Sequence, residues 1–478
     1  MNQNIVFILS DQHNPSIMGC ASDPFVRTPN LDKLASRGTT LDNCYCPSPL
    51  CVPSRAAMLS GQLPSETGIF TNFQSLPSDR VTFLHCLAIA GYENVLCGRM
   101  HFNGPDQRHG FSQRLVGDYC STVIGRGLEL GALNGTPDQS RIALEKSGPG
   151  NSTVIDYDKE VIREALSFLG ERNSVKPLFL TVGLYGPHCP YVCPKDLFDY
   201  YYDLLPVPDT CEDFKKTVHP AVQKWYANRG LSGVTTEEVR RSRAAYYGLI
   251  EMMDEFIGQL VNKIDHTLGL KNTLLIYASD HGDMIGDKGL FWKSNFYEGS
   301  ARVPIIFSLP GVVPSGKRIM QATSLLDLGP TLIELSGGPE LPRMDGESIL
   351  SLIQGAVPEN PARVIISQLG DVKGDSPSAM IRKGKWKLIS HCGYEHPQLF
   401  DLADDPEEMK DLAQDPRQQS FRQELLDELS SYWNGEGVLK HITDSYAHSQ
   451  ILKRWEKTTE PDAPEQWIGK LDSNVLIK

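Results

Sequence analysis

The chain has 478 residues and a mass of 53.1 kDa, and its formal net charge is −13. This length suffices for one large α/β domain and a smaller one, and 40% hydrophobic with 22% charged residues is typical of a soluble globular enzyme. The acidic charge argues against nucleic acid or an anionic membrane as a partner, because both attract basic proteins. No apolar run approaches the ~20 residues of a membrane span.

The first predicted element is a buried strand over 4–10, which polar residues follow at once. The run NIVFILS ends at Asp11-Gln12-His13. Because the apolar run is short and no basic region precedes it, we interpret it as a strand and not as a signal peptide. Without an export signal the 11 cysteines are expected to be mostly reduced thiols. If the chain is complete, we expect a cytoplasmic protein.

The stretch CPSPLCVPSRAAMLSG predicts a helix that begins near Pro53 and runs to about Leu59. Proline suits a first helical turn, because its missing N–H would have no partner there. Cys51 is therefore expected just ahead of a helix N-terminus, where the dipole and the free N–H groups favour negative charge and a reactive side chain. A buried structural cysteine is the alternative.

Four further apolar runs predict buried parallel strands, at 94–98, 178–184, 273–279 and 303–309. Helices are predicted between the strands, at about 30–37, 53–60, 82–90, 158–171, 237–264 and 325–336. This alternation is typical of a mainly parallel sheet with helices on both faces. In such folds ligands bind beyond the carboxyl ends of the strands, where six ionisable residues fall: Asp11, Arg99, His101, His188, Asp280 and His281. Solvated charges that follow strands by coincidence are the alternative.

Beyond about residue 362 the pattern becomes that of a small α+β subdomain. The run AMIRKGKWKLIS alternates apolar and polar residues, as in an antiparallel strand pair with a turn at Lys383-Gly384. A helix is predicted from about Pro416 to Trp433, and we expect the tail after it to pack on the body or on a second subunit of a homo-oligomer. We therefore divide the chain into a main, catalytic domain over 1–362 and a C-terminal subdomain with its tail over 363–478.

Asp11 and Asp280 lie at predicted strand ends, and with Gln12 and His281 they form an oxygen-rich site with one imidazole. Hard divalent cations take such ligands, Ca²⁺ foremost, with Mn²⁺ or Mg²⁺ as alternatives. Two unpaired carboxylates at close range repel each other, so a bound cation is the simpler account. Cationic side chains suited to a sulfate or phosphate oxyanion complete the prediction: Arg55, Arg99, His101, His188 and Lys293. A metal, a nucleophile and a basic cluster together indicate ester hydrolysis at sulfur or phosphorus.

At this point the chain resembles a known family. Cys51-Val52-Pro53-Ser54-Arg55 resembles the C-x-P-x-R signature of the type I sulfatases, which LSGQLPSETG continues. The segments 278–307, 323–337 and 398–413 resemble the family's second metal and lysine block and its later markers. The resemblance implies an α/β fold, the alkaline phosphatase-like sandwich. In this fold helices flank a large, mainly parallel sheet, and a small C-terminal α+β subdomain carries a short antiparallel sheet.

The resemblance also implies a modified residue and a metal site. Cys51 would be oxidised after translation to Cα-formylglycine, whose hydrate is the nucleophile, by a formylglycine-generating or sulfatase-maturating enzyme. The implied metal ligands are Asp11, Gln12, residue 51, Asp280 and His281. This chain departs from the usual pattern at Gln12, where many relatives have Asp, at His281, where many have Asn, and at Arg99, where they usually have Lys. Arginine keeps the charge but is bulkier and does not donate a proton, so fine substrate preference is expected to differ.

The remaining roles follow from the same resemblance. Arg55 would hold the hydrate in place, and Asp280 would help to deprotonate it for attack on sulfur. Lys293 or His188 would protonate the leaving alcohol, which leaves a sulfated enzyme. His101 would then remove the second hydroxyl proton, which expels sulfate and regenerates the aldehyde.

The segments GRMHFNGPDQRHGF (98–111) and GLFWKSNFYEGSARVP resemble choline sulfatases and the bacterial sulfatases and phosphonate monoester hydrolases grouped with them. Asp106 and His109 are then expected either to face the substrate or to stabilise a turn. We expect the substrate to be a sulfate monoester of a sugar or another small organic alcohol, with choline sulfate and a phosphonate monoester or phosphodiester as alternatives. A non-catalytic anion-binding or scaffold protein is the alternative from another class.

Overall fold

The structure is a computed structural model that describes residues 3–120, 122–126, 139–207, 211–370, 374–463, 465–470 and 473–477. Its strands are β1 (Asn4–Asp11), β2 (Thr39–Leu41), β3 (Cys44–Tyr45), β4 (Glu93–Gly98), β5 (Gln113–Arg114), β6 (Gly148–Asn151), β7 (Leu178–Pro187), β8 (Val192–Cys193), β9 (Thr273–Ser279), β10 (Arg302–Val303), β11 (Ile305–Ser308), β12 (Lys317–Ile319), β13 (Thr323–Ser324), β14 (Val364–Leu369), β15 (Ser378–Lys383), β16 (Trp386–His391), β17 (Gln398–Asp401) and β18 (Val475–Leu476).

The α-helices are α1 (Pro29–Ser36), α2 (Cys51–Ser60), α3 (Pro64–Thr67), α4 (Phe83–Ile89), α5 (Arg141–Glu145), α6 (Thr153–Glu171), α7 (Lys195–Leu204), α8 (Glu212–Thr217), α9 (Pro220–Asn228), α10 (Thr236–Thr267), α11 (Glu298–Ala301), α12 (Leu328–Ser336), α13 (Leu350–Ile353), α14 (Gln419–Ser430) and α15 (Gly435–Thr459). The six predicted helices of the main domain correspond to α1, α2, α4, α6, α10 and α12. The largest displacement of an end is at α6, which begins at Thr153 and not at 158.

An eight-stranded sheet runs through the main domain, in the order β12-β2-β11-β9-β1-β7-β4-β5. Strand β1 lies parallel to both β9 and β7, and β4 lies parallel to β7. Alternate residues of β1 belong to two different hydrophobic clusters, Val6 and Ile8 to one and Ile5, Phe7 and Leu9 to the other. Because successive side chains point to opposite faces, the sheet is covered on both sides, which explains the unbroken apolar run of the first strand.

The predicted fifth strand, 303–309, is wrong in direction. It is two short strands, and β11 runs antiparallel to β9, with Ile305 opposite Ala278 and Ser308 opposite Leu275. A parallel return needs a crossover of a dozen or more residues, usually a helix. The connection from β9 to β11 is mostly irregular, and its only α-helix is the four-residue α11. The connection thus lacks a crossover helix, and β11 returns antiparallel beside β9.

The C-terminal subdomain contains an antiparallel sheet of four strands, β14-β15-β16-β17. The predicted strand pair is β15 and β16, with Lys383 opposite Trp386. Helix α14 covers it and is preceded by a 3-10 turn, so the helix predicted from 416 begins at Gln419. Leu425 of α14 and Ala57 of α2 lie in the same hydrophobic cluster. The two parts of the chain thus share apolar contacts, and the division at residue 362 stays a prediction.

The tail packs on the body from the end of the long helix α15 onwards. Glu456 pairs with Arg126 at 2.7 Å, the ring of Trp467 lies 5.1 Å from that of Tyr157, and β18 pairs with β6. The predicted packing on the body is therefore present, while packing on a second subunit stays a prediction. Across the described residues, no helix combines the length and the apolar character that a membrane span requires.

Candidate active site

Helix α2 places Cys51 in its first turn. The predicted start near Pro53 is wrong by two residues, because the N–H of Ser54 donates to the carbonyl oxygen of Leu50 at 3.0 Å and makes Leu50 the N-cap. Proline at the third helical position still loses no hydrogen bond, since the first N–H groups of a helix have no partner within it. The N–H of Val52 donates instead to Oδ1 of Asn72 at 3.0 Å, and Cys51 is buried.

Four potential ligand atoms converge at the carboxyl ends of β1 and β9. These strands pair in register at Ser10 and Ser279, so Asp11 and Asp280 emerge side by side. The Cys51 Sγ atom lies 3.1 Å from His281 Nε2 and 3.8 Å from Asp11 Oδ1. The ligand atoms of Asp11, Cys51, Asp280 and His281 all lie within 4.8 Å of one another, and all four residues are buried. Nδ1 of His281 faces the carbonyl oxygen of Gly282 at 3.1 Å, which leaves Nε2 as the ring nitrogen that faces the cluster.

The side chain of Gln12 lies beside this cluster, between Asp283 and Lys293. Its Nε2 donates to Asp283 Oδ2 at 2.6 Å, and its Oε1 accepts from Lys293 Nζ at 2.6 Å. Lys293 Nζ also lies 2.7 Å from Nε2 of His188. Because an ammonium group only donates, Lys293 sets the orientation of the amide. The structure thus links Gln12 to Lys293 and His188, the two predicted proton donors. The predicted role of Gln12 as a metal ligand stays a prediction.

Two buried arginines neutralise the carboxylates of the cluster. Arg55 donates from Nε to Asp280 Oδ2 at 2.8 Å and from Nη2 to Asp11 Oδ2 at 3.1 Å. Arg99 donates to the same oxygen of Asp11 at 2.5 Å, and its Nη2 lies 2.9 Å from Nδ1 of His101. A guanidinium only donates, so a neutral His101 carries its proton on Nε2. The predicted role of His101 as a base therefore requires Arg99 to release Nδ1.

Burial and these neighbours set the protonation states at the site. Burial alone would raise the pKa of Asp11, but the charges of Arg99 and Arg55 hold this pKa well below its usual value. Burial lowers the pKa of His101 well below its usual value, and the charge of Arg99 adds to the effect. Burial also lowers the pKa of His281. An ionised carboxylate beside neutral imidazoles suits metal binding, because a neutral imidazole nitrogen can ligate a cation.

Asp106 and His109 form a turn after β4. Oδ1 of Asp106 accepts from the N–H groups of Arg108 at 3.0 Å and of His109 at 3.2 Å. The His109 ring is buried against Phe102, with ring centroids 4.6 Å apart. The contacts that would stabilise a turn, one of the two predicted roles, are present. The other role, substrate binding, stays a prediction.

Sequence reasoning missed Asp283, which holds Gln12 in place. Its Oδ2 also accepts from the Tyr191 hydroxyl at 2.6 Å, and its Oδ1 accepts from the N–H groups of Ile285 at 2.8 Å and Trp292 at 2.7 Å. The available signal was its place in the polar segment directly after the strand at 273–279. Nothing in that segment indicates which distant side chain its carboxylate would contact.

The comparisons with known proteins agree with this geometry. The family model described as Sulfatase matches residues 3–338. The chain belongs to the sulfatase family. A second family model, described as N-sulphoglucosamine sulphohydrolase, C-terminal, matches residues 286–434. This sulfatase is 34% identical to the choline-sulfatase of Rhizobium meliloti, over 94% of this chain and 90% of the relative. It is 29% identical to an arylsulfatase of Clostridium perfringens, over 92% and 98% of the two chains.

Solved structures share the fold of this sulfatase. A putative sulfatase from Bacteroides thetaiotaomicron superposes with a TM-score of 0.74 at 22% identity, over 90% of this chain and 92% of the other. The phosphonate monoester hydrolase of Agrobacterium radiobacter superposes with a TM-score of 0.73 at 21% identity, over 90% of this chain and 95% of the other. The predicted alkaline phosphatase-like fold is confirmed, and the family and its named relatives identify the chain as a sulfuric ester hydrolase.

Proposed function

We propose that this sulfatase hydrolyses a sulfate monoester of a small organic alcohol, with residue 51 converted from Cys to Cα-formylglycine. The observation that carries the proposal is the convergence of Cys51 with Asp11, Asp280 and His281 in one buried cluster. Arg55 forms ion pairs with both carboxylates of this cluster. Sulfuryl transfer needs a nucleophile and a fixed positive environment around the transferred group. A cysteine that filled the core alone would have no reason to lie against two carboxylates and an imidazole.

The donor set of the cluster fits a divalent cation. Two carboxylates and one neutral imidazole converge with residue 51, and the backbone N–H of Gln12 donates to Oδ1 of Asp280 at 3.1 Å. We propose Ca²⁺ as the resident ion, with Mn²⁺ and Mg²⁺ as alternatives. When bound, the metal would supply Lewis-acid stabilisation of negative charge, and formylglycine would supply a hydrated aldehyde as the nucleophile.

The remaining side chains provide charge and protons. Arg55 and Arg99 would hold the sulfate group against residue 51, since both are buried, fixed and always charged. Lys293 Nζ holds protons 2.7 Å from His188 Nε2, and we assign to this pair the proton that the leaving alcohol oxygen takes up. His101 would accept a proton at Nδ1 once the N–H of Arg99 Nη2 donates to a sulfate oxygen instead of to that atom.

The decisive experiment measures two quantities on one preparation: the fraction of residue 51 converted to formylglycine and the rate of sulfate ester turnover. The protein is co-expressed with a formylglycine-generating enzyme, and the mass of the peptide that contains residue 51 reports the conversion of CH₂SH to CHO. Turnover of p-nitrophenyl sulfate should rise with the converted fraction and be absent in Cys51→Ala. Cys392→Ala is the matched control, because Cys392 is a free cysteine in the C-terminal subdomain, and it should keep turnover. Substantial turnover by Cys51→Ala would contradict the proposal.

Choline sulfate is the second candidate substrate beside the sugar sulfate that we predicted from the sequence. The choline-sulfatase of Rhizobium meliloti is 34% identical over 94% of this chain, and this likeness favours choline sulfate. A panel of choline sulfate and sulfated monosaccharides, assayed by released sulfate, ranks the two. Comparison of p-nitrophenyl sulfate with a phosphonate monoester tests the ester class. Faster turnover of the phosphonate monoester would overturn the assignment to sulfate.

A further inference from the structure

Asp118 is a fully buried carboxylate behind the side chains to which we assign sulfate binding. It follows the two-residue strand β5 and is 0% exposed. Its Oδ2 accepts from the backbone N–H groups of His101 at 2.6 Å and Met100 at 3.1 Å, and from Nη2 of Arg114 at 3.2 Å. One carboxylate oxygen therefore holds the backbone that carries His101.

The other oxygen of Asp118 faces Arg99. Oδ1 lies 3.5 Å from Arg99 Nη1 and accepts from the N–H of Cys120 at 3.1 Å. The same Nη1 lies 2.7 Å from the Cys120 Sγ atom. With Asp11 on Nε and His101 on Nη2, the guanidinium of Arg99 is held at each of its three nitrogens. Asp118 is thus the one described residue that contacts both Arg99 and the backbone of His101 through a carboxylate.

Asp118 is itself held in place and remains charged. Its backbone N–H donates to the carbonyl oxygen of Glu465 at 3.2 Å, and its carbonyl oxygen accepts from the N–H of Trp467 at 2.8 Å. Burial would raise the pKa of Asp118, but Arg99 and Arg114 lower it to about 2. Because the backbone of Asp118 is hydrogen-bonded on both sides, its carboxylate stays in one position. The groups that the carboxylate binds are therefore held in place with it.

The backbone of His101 needs such a support. Its φ of 58° lies in the left-handed region, which is unfavourable for an L-residue because Cβ comes too close to the following carbonyl oxygen. Strained conformations of this kind persist only where surrounding contacts determine them. The two N–H groups bound to Asp118 Oδ2 are those of His101 and of the residue before it.

We propose that Asp118 is a positioning residue for hydrolysis. Its carboxylate fixes the guanidinium of Arg99 and the backbone of His101 relative to each other, so that both reach the sulfate group together. The inference rests on the roles proposed above for Arg99 and His101. Residues that orient the groups in contact with a substrate typically contribute about 10–100-fold to activity.

The test compares the converted, metal-loaded full-length protein with D118N. Asparagine keeps the size and one acceptor oxygen, but it loses the charge opposite Arg99 and Arg114 and introduces two N–H groups among donors. We expect kcat on p-nitrophenyl sulfate to fall about 10–100-fold, with a smaller change in KM. Metal content by elemental analysis and conversion of residue 51 by peptide mass should stay at wild-type values.

Asp254→Asn is the matched structural control. Asp254 is equally buried and accepts from the backbone N–H groups of Asn30 at 3.0 Å and Leu31 at 2.8 Å, on helix α1. It should lower the melting temperature and leave kcat within about twofold of wild type. A loss of kcat in Asp254→Asn equal to that in D118N would overturn the positioning role, because any lost buried carboxylate would then have the same effect.

A double-variant cycle separates this inference from the proposed function. Because Asp118 is proposed to act through both His101 and Arg99, the fold-loss of kcat caused by D118N should be smaller in the residual activity of His101→Ala than in wild type. Wild-type kcat in D118N, together with lost activity in Arg99→Ala and His101→Ala, overturns the inference alone. Retained activity in Arg99→Ala and His101→Ala overturns the proposed function.

If D118N does not fold, D118E is the variant to measure. It keeps the charge but displaces the carboxylate, so a reduced kcat supports the inference and a wild-type kcat overturns it.

Discussion

The carboxyl edge of the large sheet and the exposed helix α15 both carry many charged side chains, but they hold them differently. At the sheet edge, Asp11 contacts Arg55 and Arg99, which lie 44 and 88 residues away in the chain, and none of the three is more than 1% exposed. On α15, Lys440 pairs with Asp444 one turn later, and their side chains are 78% and 61% exposed.

The difference shows where the structure restricts substitution. A buried charge that loses its partner is left desolvated, at a cost of about 3–5 kcal/mol. An exposed pair on a helix is screened by water and salt and contributes little. The sheet edge therefore tolerates neither removal nor displacement of its charges, whereas the exposed pair on α15 tolerates both. The following predictions test this contrast, in order of decreasing effect.

The largest effect is expected for Asp280→Asn. The amide cannot supply the charge of the carboxylate to a cation, so metal and activity should be lost together, with turnover reduced by about 1,000-fold or more. Elemental analysis and p-nitrophenyl sulfate turnover, measured on one preparation, check this expectation. Wild type treated with a chelator should likewise lose both metal and turnover. Full metal content in the variant would remove Asp280 from the proposed ligand set.

Arg55→Met should have the next largest effect. Methionine keeps the apolar volume but leaves Asp11 and Asp280 without the cation that bridges them. We expect the free energy of unfolding in urea to fall by about 3–5 kcal/mol and turnover to be lost. A stability equal to that of wild type would show that a bound metal, and not Arg55, balances the two carboxylates.

Asp158 should make stability depend on pH. Its oxygens accept from the N–H groups of Tyr185 at 2.7 Å and Gly186 at 2.8 Å, just before His188, and burial raises its pKa to about 7. Between about pH 4 and 7 the folded chain keeps a proton that the unfolded chain releases, so stability falls as pH rises through this window. At about 1.4 kcal/mol per unit, the loss is a few kcal/mol. Urea unfolding at several pH values should show this slope in wild type and a smaller one in Asp158→Asn; equal slopes would contradict it.

The smallest effect is expected for Lys440→Met on α15. Its pair with Asp444 lies in solvent, so neither the melting temperature nor turnover should change measurably. This variant is the matched control for Arg55→Met, because each removes one cation from a carboxylate. A loss of stability comparable to that of Arg55→Met would abolish the contrast between the two regions.

The positions of Asp11, Asp280 and His281 follow from the pattern of strands. Each follows an apolar run at once, and adjacent parallel strands end at the same edge of a sheet. The partners of Asp118 and Asp283 do not follow from any pattern. Asp118 comes after a strand of two residues and Asp283 lies in an irregular segment, so neither has a periodicity that predicts its partners. The direction of β11 was likewise missed, since an apolar run indicates burial but not direction.

By itself, the sequence determined the parallel strands, the helices between them and the edge at which charged side chains collect. It did so because burial on both faces of a sheet requires continuous apolar runs, a local property that can be recognised without knowledge of the fold. Only the tertiary structure decided which charges pair, how Gln12 turns between Asp283 and Lys293, and that Asp118 supports Arg99 and His101. These contacts join segments that are distant in the chain, and hydrogen bonds that depend on tenths of an ångström are set by how those segments pack.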